Sequence, residues 1–469
     1  MTPDGRGAGT ATGGAGGTGP SRRRFSRALA AALPASLLGA GCAAPGRGTG
    51  RPGDPVVLTL LSHYGGGESK EALRGPVDEW NATHDRVKVR TTAVEFDDLL
   101  TTLMVRQAAG QGADLVHPYC LWTGQLVRSG VLAPAPPEHA AEIRRGYGTA
   151  AVGAASAGGV VHGYPTELQT YALYYNRRLL REAGIDQPPR TWLELEEAAY
   201  RTTRRDGYGN TLVQGFGLST YDDSTTVGQT LALLASAGGA FVAADGRGTA
   251  IDSAAGRAVF ALERRLVDRG ASVPGINMYQ AFPAGRVAMV IGAGWWTGSL
   301  TSRMGAAYRD VGVAPVPVPE AGGRPGTLCT GFLLGVNAAG PHQREAWEFL
   351  RWLNAEKVGV GSGTGASTGA SHKAVGAATR MSVLQASLGS LTGRADDMRV
   401  LLGADADPNL RPFLEALAYA VPEPNVPGAQ RAKSLLRKGI EELWTGRRSV
   451  DEALRTVRRQ VDQEVARSW

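Results

Sequence analysis

Only three cysteines occur in 469 residues, too few for a disulfide-framed scaffold, and with the seven histidines they form no zinc-like cluster. No stretch is long and apolar enough to span a bilayer. An excess of one charge is nearly missing as well. The net charge is +7, but Arg6, Arg22, Arg23, Arg24 and Arg27 against Asp4 place +4 of it in the first 42 residues. The remainder carries 45 basic against 42 acidic groups, with no dense Lys/Arg block among aromatics, so no nucleic-acid partner is expected. Enzyme signatures are equally thin. The Gly292-Ala293-Gly294 run lacks the third glycine of a dinucleotide fingerprint, because Thr297 stands there. Acidic pairs such as Asp97-Asp98 and Asp222-Asp223 lack any flanking pattern that would mark a glycosidase dyad. The expectation is a protein that is not an enzyme and carries no cofactor or metal.

What is present begins with a leader. Residues 1–20 hold eight glycines without periodicity, a disordered composition. "SRRRFSRALAAALPASLLGAGC" then sets a basic region before a short apolar one closed by small residues, which is secretory-signal organisation. Ser21-Arg22-Arg23-Arg24-Phe25 is similar to the twin-arginine export motif. Cys42 sits where a lipoprotein carries its acylated cysteine, although Gly39 occupies the position where a lipobox has leucine. Residues 43–54 read as a flexible tether. Of the other two cysteines, Cys120 and Cys329 either form a bridge or stay as two buried thiols.

The length calls for two or three domains or lobes. From Asp54 onward strands and helices alternate, the pattern of parallel sheet with crossover helices. "VVLTLLSHY", "RVKVRTTAVEF" and "ADLVHPY" read as strands, separated by "SKEALRGPVDEWNATH" and "DDLLTTLMVRQAAG" as helices. A second series starts near Gly163. It includes "YALYYN" as strand, a helix capped by Thr191 with Glu194 at capping-box spacing, and the strand "AGRVAMVIGAGWW". "VGVAPVPVP" is too rich in proline for helix and suits a hinge or crossing strand. "GFLLGVNA" is a strand and "REAWEFLRWLNAE" a helix, whose Trp347 and Trp352 belong to the core. Residues 358–379 are Gly/Ser/Thr-rich and read as a mobile loop. Val450, Leu454, Val457, Val461 and Val465 form the packing stripe of a last helix.

Several segments, in order, resemble the family 1 extracellular solute-binding proteins of ABC importers: "YPTELQTYALYYNRRLLREAGIDQPPRTWLELEEAA", "LLASAGGAF", "FPAGRVAMVIGAGWW", "VGVAPVPVP", "GFLLGVNAA", "AWEFLRWLN" and "YAVPEPNVPG". The resemblance implies two α/β lobes with doubly wound sheets, joined by crossing strands and closing by hinge motion. On this analogy lobe one is 54–163 plus 314–355, and lobe two is 165–311 plus 356–469. It implies a lipid-anchored monomer on the outer face of the membrane, with a small carbohydrate ligand and an ABC permease as partners. A binding protein for a peptide or polyamine, and a secreted carbohydrate-active enzyme, are the alternatives.

Sugars offer apolar C–H faces and polar hydroxyl edges, so a site needs flat rings together with carboxylates and amides. In open α/β sheets ligands sit beyond the carboxyl ends of strands. The residues expected there are His63, Tyr64, Tyr119, Glu167, Tyr171, Trp295, Trp296, Thr330 and Gly331. Trp122 reads mainly as packing, Phe332 follows Gly331 on the returning strand, and Arg380 is within possible reach. Gly292 and Gly294 would leave the backbone bare for a close ligand. Trp295 and Trp296 must diverge, one into the lobe and one across the cleft. The sequence does not decide which, and Trp296 is the slight preference for the cleft.

Overall fold

In this computed structural model, residues 54–64, 67–221, 223–360, 376–402 and 407–468 are described. The leader, Cys42 and nearly all of the tether lie outside the described residues.

In chain order, β1 (Val56–Ser62), α1 (Gly67–Thr83), β2 (Val87–Ala93), α2 (Phe96–Ala108) and β3 (Leu115–His117) build the first unit. β1 pairs in parallel with both β2 and β3, the arrangement that strand–helix–strand alternation demands. The next long strand, β4 (Gly163–Asn176), spans 14 residues. After it come α3 (Trp192–Thr202), β5 (Thr211–Phe216), α4 (Asp223–Ser236), α5 (Ala254–Asp268) and β6 (Val287–Ala293). The expected capping box of α3 is present: Thr191 Oγ1 accepts from the Glu194 amide, and the Glu194 carboxylate reaches back to the Thr191 amide.

α6 (Trp296–Met304), β7 (Val311–Ala314), β8 (Thr327–Val336) and α7 (Gln343–Asn354) follow. β9 (Lys357–Val360), β10 (Gly376–Thr379), α8 (Arg380–Ser387), α9 (Ala395–Leu402), β11 (Ala420–Pro422), α10 (Ala429–Trp444) and α11 (Val450–Ser468) complete the chain.

The main sheet runs β2-β1-β3-β8-β4-β6-β5 and ends on the short pairing of Arg204–Arg205 with β5. β4 and β8 bind the two halves together. The first half of β4 pairs with β8 and its second half with β6 and β7, so one strand serves both lobes. A 14-residue strand is long enough, at roughly 3.3 Å per residue, to cross from one to the other. β11 pairs with the start of β8 and provides another connection. The sequence places the strand from Tyr171 onward; the structure extends it back to Gly163, where buried residues occupy both faces and erase alternation.

Each lobe has its own apolar centre. Leu58, Leu60, Trp80, Trp347, Phe349 and Leu350 pack together in lobe one, and Phe216, Leu233, Phe260, Ile440 and Trp444 in lobe two. Leu454, Val457, Val461 and Val465 of the α11 stripe are fully buried in the latter. The segment 376–402 divides its contacts: Met381 and Leu384 join the lobe-one cluster, while Leu391 and Met398 pack with Tyr174 and Trp296.

The expected 358–379 loop is corrected at both ends. β9 and β10 pair as an antiparallel hairpin from Lys357–Thr379 to Val360–Gly376, with Val360 and Ala378 packing on Leu401. Short β-branched and alanine residues at the ends of a Gly-rich segment supply just enough apolar surface for that contact. Residues 361–375, between these two strands in the sequence, lie outside the described residues. Arg380 is corrected too: its guanidinium lies 3.9 Å from the Trp352 ring centroid and pairs with Glu79 at 2.9 Å, away from the crossing strands' cleft.

Candidate functional site

A cleft of about 780 Å³ opens where the two lobes meet along β4 and β8. His63, Tyr119, Glu167, Tyr171, Trp295, Thr330 and Gly331 all line it, as do Trp122 and Phe332. Tyr64 and Trp296 do not.

On the lobe-one side, successive rings make a wall. His63, just past β1, stacks on Phe332 of β8 at 3.7 Å and 16°. Tyr119, just past β3, lies 5.3 Å from Phe332, and Phe96 at the start of α2 stacks on Trp122 at 5.4 Å. His63, Phe96, Tyr119 and Trp122 follow strand ends, where the chain leaves the sheet and side chains can face outward, while Phe332 lies within β8 at a break in its register with β4. Trp122 is largely buried yet presents an edge to the cleft, and its Nε1 donates to Gln430 Oε1 at 2.9 Å.

Glu167 is the hub of the floor. His63 Nε2 donates to its Oε1 at 2.8 Å, and the Tyr64 hydroxyl donates to Oε2 at 3.0 Å. Gln385 Nε2 donates to that hydroxyl at 2.7 Å. Tyr64 therefore acts behind the cleft, holding the carboxylate. Burial, then the Glu167 charge, push the Tyr64 phenol well above its ordinary range, so it remains a donor. His117 lies beneath His63, between Ser62 Oγ (3.1 Å) and Thr166 Oγ1 (2.9 Å); burial and the neighbouring His63 hold it neutral. A carboxylate offers about four acceptor sites, so Glu167 retains capacity for a ligand hydroxyl.

Across the cleft stand Trp295, Tyr279 and Tyr221. Trp295 lies 5.4 Å from Tyr279, and Tyr221 meets Tyr279 edge-on at 5.6 Å. The tryptophan pair diverges as expected, but in the opposite order. Trp295 is 42% exposed, whereas Trp296 is 1% exposed, packed on Tyr174 and Phe282. The reason is local. β6 ends at Ala293, the Thr297 amide bonds back to the Gly294 carbonyl, and α6 starts at Trp296. On that helix Trp296 shares a buried face with Leu300, one turn on, while Trp295 stands at the cap. The glycines divide. Gly294 is corrected: a Cβ there would meet the Phe413 ring at 3.2 Å and Gln169 Oε1 at 3.3 Å, so it makes room for side chains of the protein itself. Gly292 does line the cleft, although a Cβ there would also meet Met278 and Tyr174.

Phe96, Gln169, Tyr221, Asp223, Tyr279 and Lys433 line the cleft without having been anticipated. Gln169 had a signal: it lies on β4 two residues past Glu167 and therefore faces the same side. Tyr221 and Tyr279 lie in connections whose path no periodicity reveals. Cys120 and Cys329 are both buried free thiols, which decides between the two alternatives; burial pushes the Cys329 thiol up to about 12. Among the described residues no group of His, Cys, Asp and Glu is arranged to hold a metal ion, and no helix is long and apolar enough to cross a membrane.

A family model described as bacterial extracellular solute-binding protein matches residues 66–360. A Brucella abortus chain named as a binding protein is 26% identical over 314 residues, covering 63% of this chain and 74% of the relative. The maltotriose-binding protein of Pyrococcus abyssi is 25% identical over 292 residues, 55% of this chain and 54% of its own. Among solved structures, the cyclic α-maltosyl-1,6-maltose binding protein of Arthrobacter globiformis superposes with a TM-score of 0.71 at 22% identity, over 88% of this chain and 100% of that one.

Proposed function

Since the chain belongs to the bacterial extracellular solute-binding protein family, we propose that it captures a saccharide between its lobes and delivers it to the permease of an ABC importer. The observation that carries this reading is the pairing of two aromatic walls across a carboxylate floor. His63, Phe332, Phe96 and Trp122 face Trp295, Tyr279 and Tyr221, with Glu167 and Gln169 between them. Rings on both sides can stack on the C–H faces of a sugar while the carboxylate and amide bond its hydroxyl edge. Closure occurs by bending in β4, β8 and the connection leading from β11, which bring the two walls together on the ligand. Acylation at Cys42 holds the receptor at the outer face of the membrane, where captured solute meets the permease.

Maltotriose-binding and cyclic maltooligosaccharide-binding relatives support a saccharide over other solutes. Thermal unfolding against a panel of mono- and oligosaccharides, peptides and polyamines tests the reading, because a ligand that binds only the native state raises its melting temperature. A rise with at least one saccharide is expected; a rise confined to peptides or polyamines overturns it.

A further inference from the structure

One charged side chain interrupts the apolar face of α10. Lys433 lies on the stripe of Ala429, Leu436 and Ile440, and its side chain is 4% exposed. Its ammonium sits 2.7 Å from Glu423 Oε1, 3.2 Å from Ser224 Oγ and 5.4 Å from the centroid of Tyr119. Glu423 is fixed in turn: its amide donates to the Cys329 carbonyl at 2.8 Å, and the Tyr119 hydroxyl donates to its Oε2. Lys433, Ser224 and Tyr119 all line the cleft.

Burying an ion pair is costly, and a leucine or methionine on this face would pack without that cost. The donor count shows what the cost sustains. An ammonium has three N–H donors. Besides the Tyr119 ring, the described residues supply it with two oxygen contacts, Glu423 and Ser224. The contact with Glu423 is one of charge, since Oε1 has no donor in hydrogen-bond direction. At least one N–H of a buried cation is thus unspent beside the cleft.

We propose that Lys433 is a specificity-determining ligand contact, donating that N–H to a ligand hydroxyl oxygen, with Glu423 as the positioning residue that orients and neutralises it. The inference rests on the saccharide reading and deepens it. Because Glu423 balances Lys433, and Glu167 and Asp223 also line the cleft, an anionic group gains no net attraction there. The site therefore takes neutral saccharides in preference to uronates.

The test titrates the full chain by calorimetry with maltotriose, cellotriose and xylotriose as neutral probes and trigalacturonate as the acidic one. Lys433→Met alone leaves Glu423 buried and uncompensated, so the double variant Lys433→Met/Glu423→Gln, which removes both charges at similar volume, is the informative protein. Its melting temperature is expected within a few degrees of wild type, with affinity for the neutral probe that binds wild type reduced at least tenfold. Undiminished affinity in the folded double variant overturns the inference, and so does wild-type binding of trigalacturonate as tight as that of the neutral probes. If wild type binds a neutral probe, the saccharide reading survives either of those results. If it binds no saccharide in the wider panel, that reading fails and the Lys433 contact with it.

Discussion

Trp295 and Trp296, adjacent in the chain, face opposite sides of one helix start: the first stands in the cleft beside Tyr279, and the second is sealed against Tyr174, Phe282 and Leu300. Truncating each separates binding from stability. Trp295→Ala removes half-exposed ring area from the cleft and is expected to weaken saccharide affinity roughly tenfold, about 1.5 kcal/mol, with little change in melting. Trp296→Ala opens a cavity in lobe two and is expected to cost about 3–5 kcal/mol of stability. Calorimetric titration and urea unfolding of both variants check the assignment; affinity loss confined to Trp296→Ala would reverse it.

Tyr64 lies behind the cleft, reaching it through its hydrogen bond to Glu167 and its edge-on contact with the His63 ring at 4.4 Å. Tyr64→Phe deletes the hydroxyl that donates to the carboxylate and accepts from Gln385, leaving two buried polar groups short of a partner. A stability loss of about 1–3 kcal/mol is expected. A several-fold loss of saccharide affinity should accompany it, because Glu167 then keeps only His63 as support. Unchanged affinity with lowered stability would confine Tyr64 to packing.

These residues show what the sequence could and could not reveal. α1, β2 and α2 are legible because each keeps an exposed face and the period of its apolar residues survives, while β1 and β3 show as short apolar runs of strand length between them. Strand-end positions such as His63 and Tyr119 are legible for the same reason, since the end of a recognisable strand predicts where the chain emerges, whereas Glu167 lies inside β4 and was picked out only by its place at the crossing between lobes. The order of Trp295 and Trp296 was hidden because it depends on the strand turning to helix within two residues. Lys433 was visible only as an oddity, a lysine at i+4 from Ala429 and i−3 from Leu436. Its partner Glu423 arrives from another element, and no spacing encodes that meeting.

Glu263 makes stability depend on pH away from the cleft. It is fully buried on α5, where Thr230 Oγ1 donates to it at 2.7 Å and Trp444 Nε1 at 2.9 Å. Burial outweighs these two donors and pushes its carboxyl up to about 7 from an ordinary 4.5. Between those values the folded protein binds more proton than the unfolded chain, so stability is greatest below pH 4.5 as far as this group acts, and falls as pH rises towards 7. At about 1.4 kcal/mol per unit the loss is roughly 3 kcal/mol. Glu263→Gln should flatten this segment of the stability–pH curve in urea unfolding at pH 5, 6, 7 and 8, and match or exceed wild type at pH 8. An unchanged slope in the variant would assign the dependence elsewhere.

Cys120 and Cys329 are buried thiols in the region where the lobes join, on either side of Tyr119 and Thr330 of the cleft. Burial raises both thiols, and the thiolate is the reactive form, so neither should react with a thiol reagent in the folded protein at pH 8. Cys42→Ser leaves these two as the only cysteines and also removes the proposed acylation site, so on that proposal the variant is expected in the soluble rather than the membrane fraction. Its native form should show no reactive thiol, and urea should release two equivalents. The labelling rate below the unfolding transition should then follow the population of open molecules, slowing when a bound saccharide stabilises the folded state. Zero equivalents in urea would mean a Cys120–Cys329 bridge, and prompt reaction in the native protein would mean that the joint between the lobes opens without unfolding.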